Sequence, residues 1–268
     1  MLKTEMRNPK TTEIHKLSTL EQLKLMNEEN MNAVMAVEAE LSNIAVAVEA
    51  ISEALKNGGR LFYIGAGTSG RLGVIDAAEC PPTFGVDYNT VIGIIAGGDE
   101  TLRKASEGAE DNPDAGIDDL KSYDFCKKDV LVGISAAGGA KYVNNAICYA
   151  NDLGCVTVGI SSNKGSEIDT ISKISICPDT GAEVITGSTR LKAGTAQKLI
   201  LNMLSTVSMI QCGYVYENLM INLKPTNIKL KARVIRIVCE ILKCSEEHAI
   251  KELDSCDWNI SAVVKKNM

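Results

Sequence analysis

The chain has 268 residues, of which 45% are hydrophobic and 23% charged, with a net charge of −6. This is globular composition with room for one large α/β domain or a domain plus an appendage, and the acidic balance argues against a nucleic-acid binder. Nine cysteines form no CxxC pair, and His15 and His248 lie far apart without cysteines beside them, so neither a zinc site nor a histidine general base is expected.

Residues 1–17 are polar and predict an extended arm. They hold no apolar signal segment, and no run in the chain reaches membrane-spanning length, so a cytoplasmic protein with reduced thiols and no membrane partner is expected. Ser18 with Glu21 three residues on forms a capping-box pattern. Helical periodicity with little β-branching then runs to Gly58-Gly59, predicting two or more helices.

From residue 60 the pattern changes. "RLFYIGAG" (60–67), "TVIGIIAG" (90–97), "DVLVGISA" (129–136), "CVTVGISS" (155–162) and "ISKISICPD" (171–179) are short β-rich apolar runs. Helical or Gly/Ser segments at 69–79, 100–121, 141–153 and 164–170 separate them. Near-continuous apolar strands alternating with helices predict a doubly wound, five-stranded parallel sheet covered on both faces. A long apolar helix follows over 195–213. Beyond "NLKPTN" a helical tail begins near residue 226, in which the cations of "KLKARVIRIVCEILK" read as a solvated helix face. The expected division is an arm with helices over 1–50, the sheet domain over 51–225 and a helical segment over 226–268.

Three strands end in small-residue loops: "GAGTSGR" (65–71), "AGGDE" (96–100) and "SAAGGAK" (135–141). Open parallel sheets bind ligands outside the strand carboxyl ends, where helix N-termini favour phosphate. Gly65, Gly67 and Gly70 allow close backbone approach, and Thr68 and Ser69 add hydroxyls; a tight βα turn is the purely structural reading. The dinucleotide fingerprint is matched only as G-x-G-x-x-G, and no Walker A sequence is present. A second dense stretch, "GAEVITGSTRLKAGTAQK" (181–198), gathers Ser188, Thr189, Arg190, Lys192 and Thr195 at the entrance of the long helix. There they suit a phosphate or a cluster of sugar hydroxyls; a solvated capping segment is the alternative.

"GAGTSGRLGVIDAAECPPTFG", "IAGGDE", "EGAED" and "TGSTRLKAGTAQKLILNMLST" resemble the N-acetylmuramic acid 6-phosphate etherases. These belong to the sugar isomerase (SIS) superfamily, with the glucokinase regulatory protein as a relative, and the likeness covers nearly the whole chain. It implies a homodimer of SIS domains that cleaves the lactyl ether of a sugar phosphate without metal or organic cofactor. It also implies catalytic roles for Glu79, as proton donor to lactate, and Glu110, as partner acid/base. On residue pattern alone either one reads as a surface carboxylate. Pro81-Pro82 is expected to stop the helix beside Glu79. The substrate-binding set is Gly67, Thr68, Ser69, Ser135, Gly138, Ser188, Thr189, Arg190 and Lys192.

The third loop departs from the family. Relatives typically carry Ser-Ala-Ser-Gly-Arg-Thr-Pro-Tyr-Val, and here Ala137, Gly139, Ala140 and Lys141 replace Ser, Arg, Thr and Pro. Two lost hydrogen bonds to phosphate, at about 1.5–3 kcal/mol each, would weaken binding by roughly one hundred-fold or more. A sugar-phosphate-sensing regulator or weakly active paralogue is therefore the alternative reading, with an aldose–ketose isomerase behind it. Residues 244–268 resemble the first two helices of a ubiquitin-associated-like bundle. The apolar face around Leu253, Ile260 and Val263 is then expected to lack one partner helix and to dock loosely.

Overall fold

The computed structural model describes residues 2–223, 225 and 228–267. Thr19–Glu38 (α1) and Leu41–Lys56 (α2) precede five strands, Leu61–Gly65 (β1), Val91–Ile95 (β2), Val130–Ile134 (β3), Val156–Ile160 (β4) and Ile174–Ile176 (β5). All pair in parallel, in the order β2-β1-β3-β4-β5. Between the strands lie helices Gly67–Phe84 (α3), Ala115–Ser122 (α4), Lys141–Asp152 (α5) and Glu167–Ile171 (α6). Lys192–Gln211 (α7) follows β5.

The strands read as unbroken apolar runs because both faces are covered. Successive side chains point to opposite faces. Leu61, Tyr63, Val130, Val132 and Ile134 join the cluster formed with α1, α2, α3 and α7, which supply Val37, Ile51, Ala77 and Leu204. Phe62, Ile64, Ile92 and Leu131 face the other way, onto Leu120, Tyr142, Val143 and Ile147 of α4 and α5. The chain leaves β1 for β2 on one side and returns for β3 on the other. The topological switch therefore falls between the β1 and β3 loops, where such sheets bind ligands.

At the opposite end of the sheet, Asp129 ties β1 to β3. Its carboxylate takes the Arg60 guanidinium at 2.8 Å and the Arg60 N–H at 2.9 Å.

Several expectations are corrected. The Pro81-Pro82 pair does not stop α3, which continues to Phe84. Each proline removes one N–H from the helix ladder. The last turn persists because Phe84 is buried and its carbonyl accepts the Asn222 amide at 2.8 Å. The helix ends instead at Gly85, left-handed at φ +66°, where a Cβ would overlap the Asn222 carbonyl.

The N-terminal arm is not simply extended. It makes two 3₁₀ turns, Lys3–Glu5 and Ile14–Lys16, and buries Thr4, Asn8 and Thr11. The 100–121 segment, expected to be helical or Gly/Ser-rich, holds the 3₁₀ turns Asp99–Leu102 and Ala109–Asp111 and then the short α4.

The tail is also more complete than expected. After a small hairpin of Val215–Tyr216 (β6) and Leu219–Met220 (β7), helices Ile228–Leu242 (α8), Glu246–Asp254 (α9) and Ile260–Asn267 (α10) close on one another. Leu253, Ile260 and Val263 are buried, because Val234, Ile237 and Val238 of α8 supply the surface thought to be missing. The "NLKPTN" linker includes Lys224, Thr226 and Asn227, which lie outside the described residues. Residue 50, the expected edge of the first segment, falls inside α2, whose apolar side belongs to the sheet's own core.

Candidate active site

Outside the carboxyl ends of β1 and β2 lies a cavity of about 280 Å³. Ala66 and Gly67 from the first Gly-rich loop and Ala96 from the second form its floor, with Arg71 and Thr101 beside them. Residues 105–110 close it, and they carry Glu110. The guanidinium of Arg71, in the first turns of α3, donates to the carbonyls of Leu102 (3.1 Å) and Thr101. Thr101 is pinned in turn, its hydroxyl donating to the Ala96 carbonyl at 3.0 Å. The loop bearing Glu110 is thus fixed to the strand ends by a cation from the helix that starts the site.

The 181–198 stretch folds against the same Gly-rich loop. Ser69 is buried and donates its hydroxyl to Gln197 Oε1 at 3.0 Å. A Cβ placed on Gly194 would sit 3.4 Å from the Thr68 methyl. Ser188 and Thr189 are half-buried at the turn before α7, and Arg190 is exposed. Residues 67–69 and 188–197 therefore share one neighbourhood, as the density of polar groups in both stretches implied.

Lys192 does not join them. Its ammonium is buried in an ion pair with Glu29 of α1 at 2.6 Å. Lys10 (3.2 Å) and the amides of Asn8 (2.8 Å) and Asn32 (3.3 Å) complete the shell around that carboxylate. Burial alone would raise the Glu29 pKa, but the bonds from Lys192, Lys10 and Asn8 outweigh it and bring it down to about 2. The entrance of α7 is likewise occupied. The buried Glu183 carboxylate accepts the N–H groups of Lys192 (3.0 Å) and Ala193 (2.9 Å), where a ligand anion was expected.

The β3 loop holds Ser135 and Gly138 together, Ser135 Oγ accepting the Gly138 N–H at 3.1 Å. Gly138 is left-handed at φ +82°, and a Cβ there would overlap the hydroxyl of Ser166. No other residue fits that position.

Glu79 stands apart. It lies twelve residues along α3 from Gly67, about 18 Å at 1.5 Å per residue, and does not line the Glu110 cavity. It occupies an exposed face of the helix with Ile75, an apolar residue 57% exposed.

Sequence reasoning missed Arg71, Glu183 and Gln197, although all three fall within quoted stretches. Gln197 Nε2 is buried without a partner among the described residues, directly beside Ser69. A Gln in the first turns of a largely apolar helix is the one local signal that marks it.

Known proteins share this architecture. The family described as the glucokinase regulatory protein N-terminal SIS domain matches residues 43–151. Phosphoheptose isomerase from Neisseria gonorrhoeae superposes with a TM-score of 0.54 at 19% identity, over 71% of this chain and 98% of its own. A phosphoheptose isomerase from Francisella tularensis gives 0.51 at 16% identity, over 72% of this chain and 100% of its own. Those likenesses establish the SIS fold. The N-acetylmuramic acid 6-phosphate etherase of Clostridium botulinum (strain Loch Maree / Type A3) is 52% identical over 97% of this chain and 86% of its own. With that of Vibrio atlanticus (strain LGP32) 53% identical over 97% of this chain and 85% of its own, the chain belongs to the N-acetylmuramic acid 6-phosphate etherase family.

Proposed function

We propose that the protein is a carbon–oxygen lyase that cleaves the D-lactyl ether of N-acetylmuramate 6-phosphate. The products are N-acetylglucosamine 6-phosphate and D-lactate. In the open-chain sugar, C1 is an aldehyde, so the C2 proton is acidic and the ether at C3 stands β to the carbonyl. Removal of the C2 proton sends its electron pair into a C2–C3 double bond, and the C3–O bond breaks as the departing oxygen takes up a proton. Water then adds back at C3, with the proton returned to C2. The sequence needs one base and one acid, and two carboxyl groups can serve.

The observation that carries this reading is the pairing of Glu110 with the Gly67 loop in one cavity at the strand ends, in a chain more than half identical to curated etherases. Glu110 is the acid/base at C2, and Glu79 protonates the leaving lactate. Thr68, Ser69, Ser188, Thr189 and Arg190 line the sugar's approach, while Ser135, Gly138 and their loop take the phosphate.

Within a single chain Glu79 is remote from Glu110's cavity. We infer a homodimer in which the Glu79 face of a second copy completes the site. Ile75 beside Glu79 is an apolar group with no cover, and α1 exposes Leu20, Leu23, Met31, Val34 and Met35 on one helical face. We also propose a cytoplasmic location, on the chemistry of nine unpaired thiols and a phosphorylated sugar. Residues 1–225 act as one unit and 226–268 as its appendage.

The test is incubation with N-acetylmuramate 6-phosphate and assay of D-lactate. Steady release supports the lyase. Retained ligand binding with no lactate at high protein concentration would turn the reading to a sugar-phosphate sensor.

A further inference from the structure

The loop after β3 carries Ala137, Gly139 and Ala140 where side-chain donors would help to grip a phosphate, which shifts the grip toward its backbone N–H groups. The carbonyls of that loop are turned inward. Ala136 O accepts the Ser162 N–H at 2.9 Å and the Asn163 amide at 3.1 Å. Gly138 O accepts the Ile168 N–H at 3.1 Å and the Asn144 amide at 3.3 Å. In a trans peptide the N–H points opposite to the C=O. Fixing those two carbonyls therefore aims the N–H groups of Ala137 and Gly139 the other way, and neither has a partner among the described residues.

Asn163 is the hub of this arrangement, and it is buried. Its amide also donates to the Thr4 hydroxyl at 3.1 Å, and its Oδ1 faces the Thr4 N–H at 3.4 Å. Thr4 is fully buried, although it belongs to a polar arm that precedes every helix of the fold. Further along, the arm is pinned by Thr11, whose hydroxyl donates to the Val184 carbonyl at 2.9 Å, and by Asn8 on Glu29. The arm thus reaches across the molecule to hold the one side chain that orients the Ala136 peptide.

We propose that Thr4 and Asn163 are positioning residues for the substrate's phosphate: through the Asn163 amide, the N-terminal arm sets the direction of the β3-loop N–H groups that receive it. The proposal rests on the etherase reading for the identity of the sugar, not for the anion. In a loop with Arg and Thr side chains, a small rotation of one peptide would be tolerated. Here the backbone carries more of the grip, and the clamp matters more.

The test uses the full chain and three variants, Thr4→Val, Thr4→Ser and Asn163→Ala. Inorganic phosphate binding is measured by calorimetry, and D-lactate release by kinetics. Thr4→Val is nearly isosteric and removes only the acceptor hydroxyl. Phosphate affinity is expected to fall roughly five- to ten-fold, the loss of one hydrogen bond. KM should rise by a similar factor with kcat within about two-fold, the signature of lost uniform binding. Thr4→Ser should restore both, and Asn163→Ala should lose at least as much phosphate affinity as Thr4→Val. A purely structural role predicts a lower melting temperature with phosphate affinity unchanged in the folded fraction, and that result overturns the proposal. So does a kcat loss with KM unmoved. Lactate release from a wild-type protein that binds no phosphate would overturn the clamp and leave the lyase standing. Phosphate binding that responds to Thr4 in a protein releasing no lactate would do the reverse.

Discussion

Asp76 sits one turn before Glu79 on α3, buried between that helix and α7. Its Oδ1 accepts the Asn202 amide at 2.6 Å, and Oδ2 has no partner among the described residues. Burial pushes its pKa up, and the hydrogen bond from Asn202 opposes that only in part. The folded state therefore holds this proton more tightly than the unfolded chain does. The group's contribution is most favourable below its unfolded pKa, about 3.9, and declines as pH rises through the raised folded value. Asp76→Asn keeps an acceptor for Asn202 and removes the titration. The variant should gain in melting temperature relative to wild type as pH rises from about 4 toward 8; a constant difference across that range would refute the assignment.

The two glutamates separate at the same scale. Glu110→Gln should lower kcat about 10²- to 10⁴-fold, the usual worth of a general base, and abolish exchange of the C2 proton with solvent. Glu79→Gln should stop lactate release while C2 exchange, followed by NMR in deuterated water, continues. Normal turnover by either variant removes that residue from the mechanism.

Among the elements, α1, α7 and the arm meet at Glu29. Glu29 and Lys192 are both buried, so removing one partner leaves a charge without compensation. Glu29→Gln should cost about 3–5 kcal/mol in urea unfolding. Because the Glu29 pKa is depressed to about 2, its contribution is complete above the unfolded value near 4.3 and is lost as pH falls between the two. The junction also marks what the sequence could not disclose. The five strands were legible because continuous apolar runs bounded by Gly-rich loops have few other solutions. Lys192 was misread because a cation at a helix entrance looks like a ligand group until its partner is known. That partner is 163 residues away, with no local spacing to announce it. Pro81-Pro82 misled for the opposite reason: a strong local rule yielded to the burial of Phe84 and the Asn222 cap. In the tail, the resemblance to the first two helices of a bundle left their apolar face without a partner, because the 229–243 helix reads in sequence as a solvated face and not as the surface that fills their groove. Leu253→Ala should accordingly destabilise the α8–α10 cluster by about 2–5 kcal/mol. Amides of 249–253 should be protected from exchange in the wild type, and fast exchange there would restore the loosely docked alternative.

For the whole molecule, the decisive fact is that Glu110 has a cavity and Glu79 has a surface. The cavity is lined by Glu107 as well as Glu110, but Glu79, the acid proposed for the C3 oxygen, lies outside it. A carboxylate beside exposed Ile75 has no pocket of its own. The proposed two-fold dimer would resolve both, because a self-complementary interface could bring the Glu79 face of one copy to the Glu110 cavity of the other, twice. Complementation between two inactive chains distinguishes this from a site built within one chain. When Glu79→Gln and Glu110→Gln chains are co-expressed with different affinity tags, the purified heterodimer has one site with both residues altered. Its other site pairs the intact Glu110 of one chain with the intact Glu79 of its partner. The tagged heterodimer should therefore recover about half the wild-type rate of lactate release, and an unfractionated equal mixture about a quarter. If both glutamates act within one chain, every site in the heterodimer carries one defect and the rate stays at the level of the parents. Recovery that vanishes when Ile75 is replaced by Lys, with the monomer still folded, would tie the composite site to that helix face.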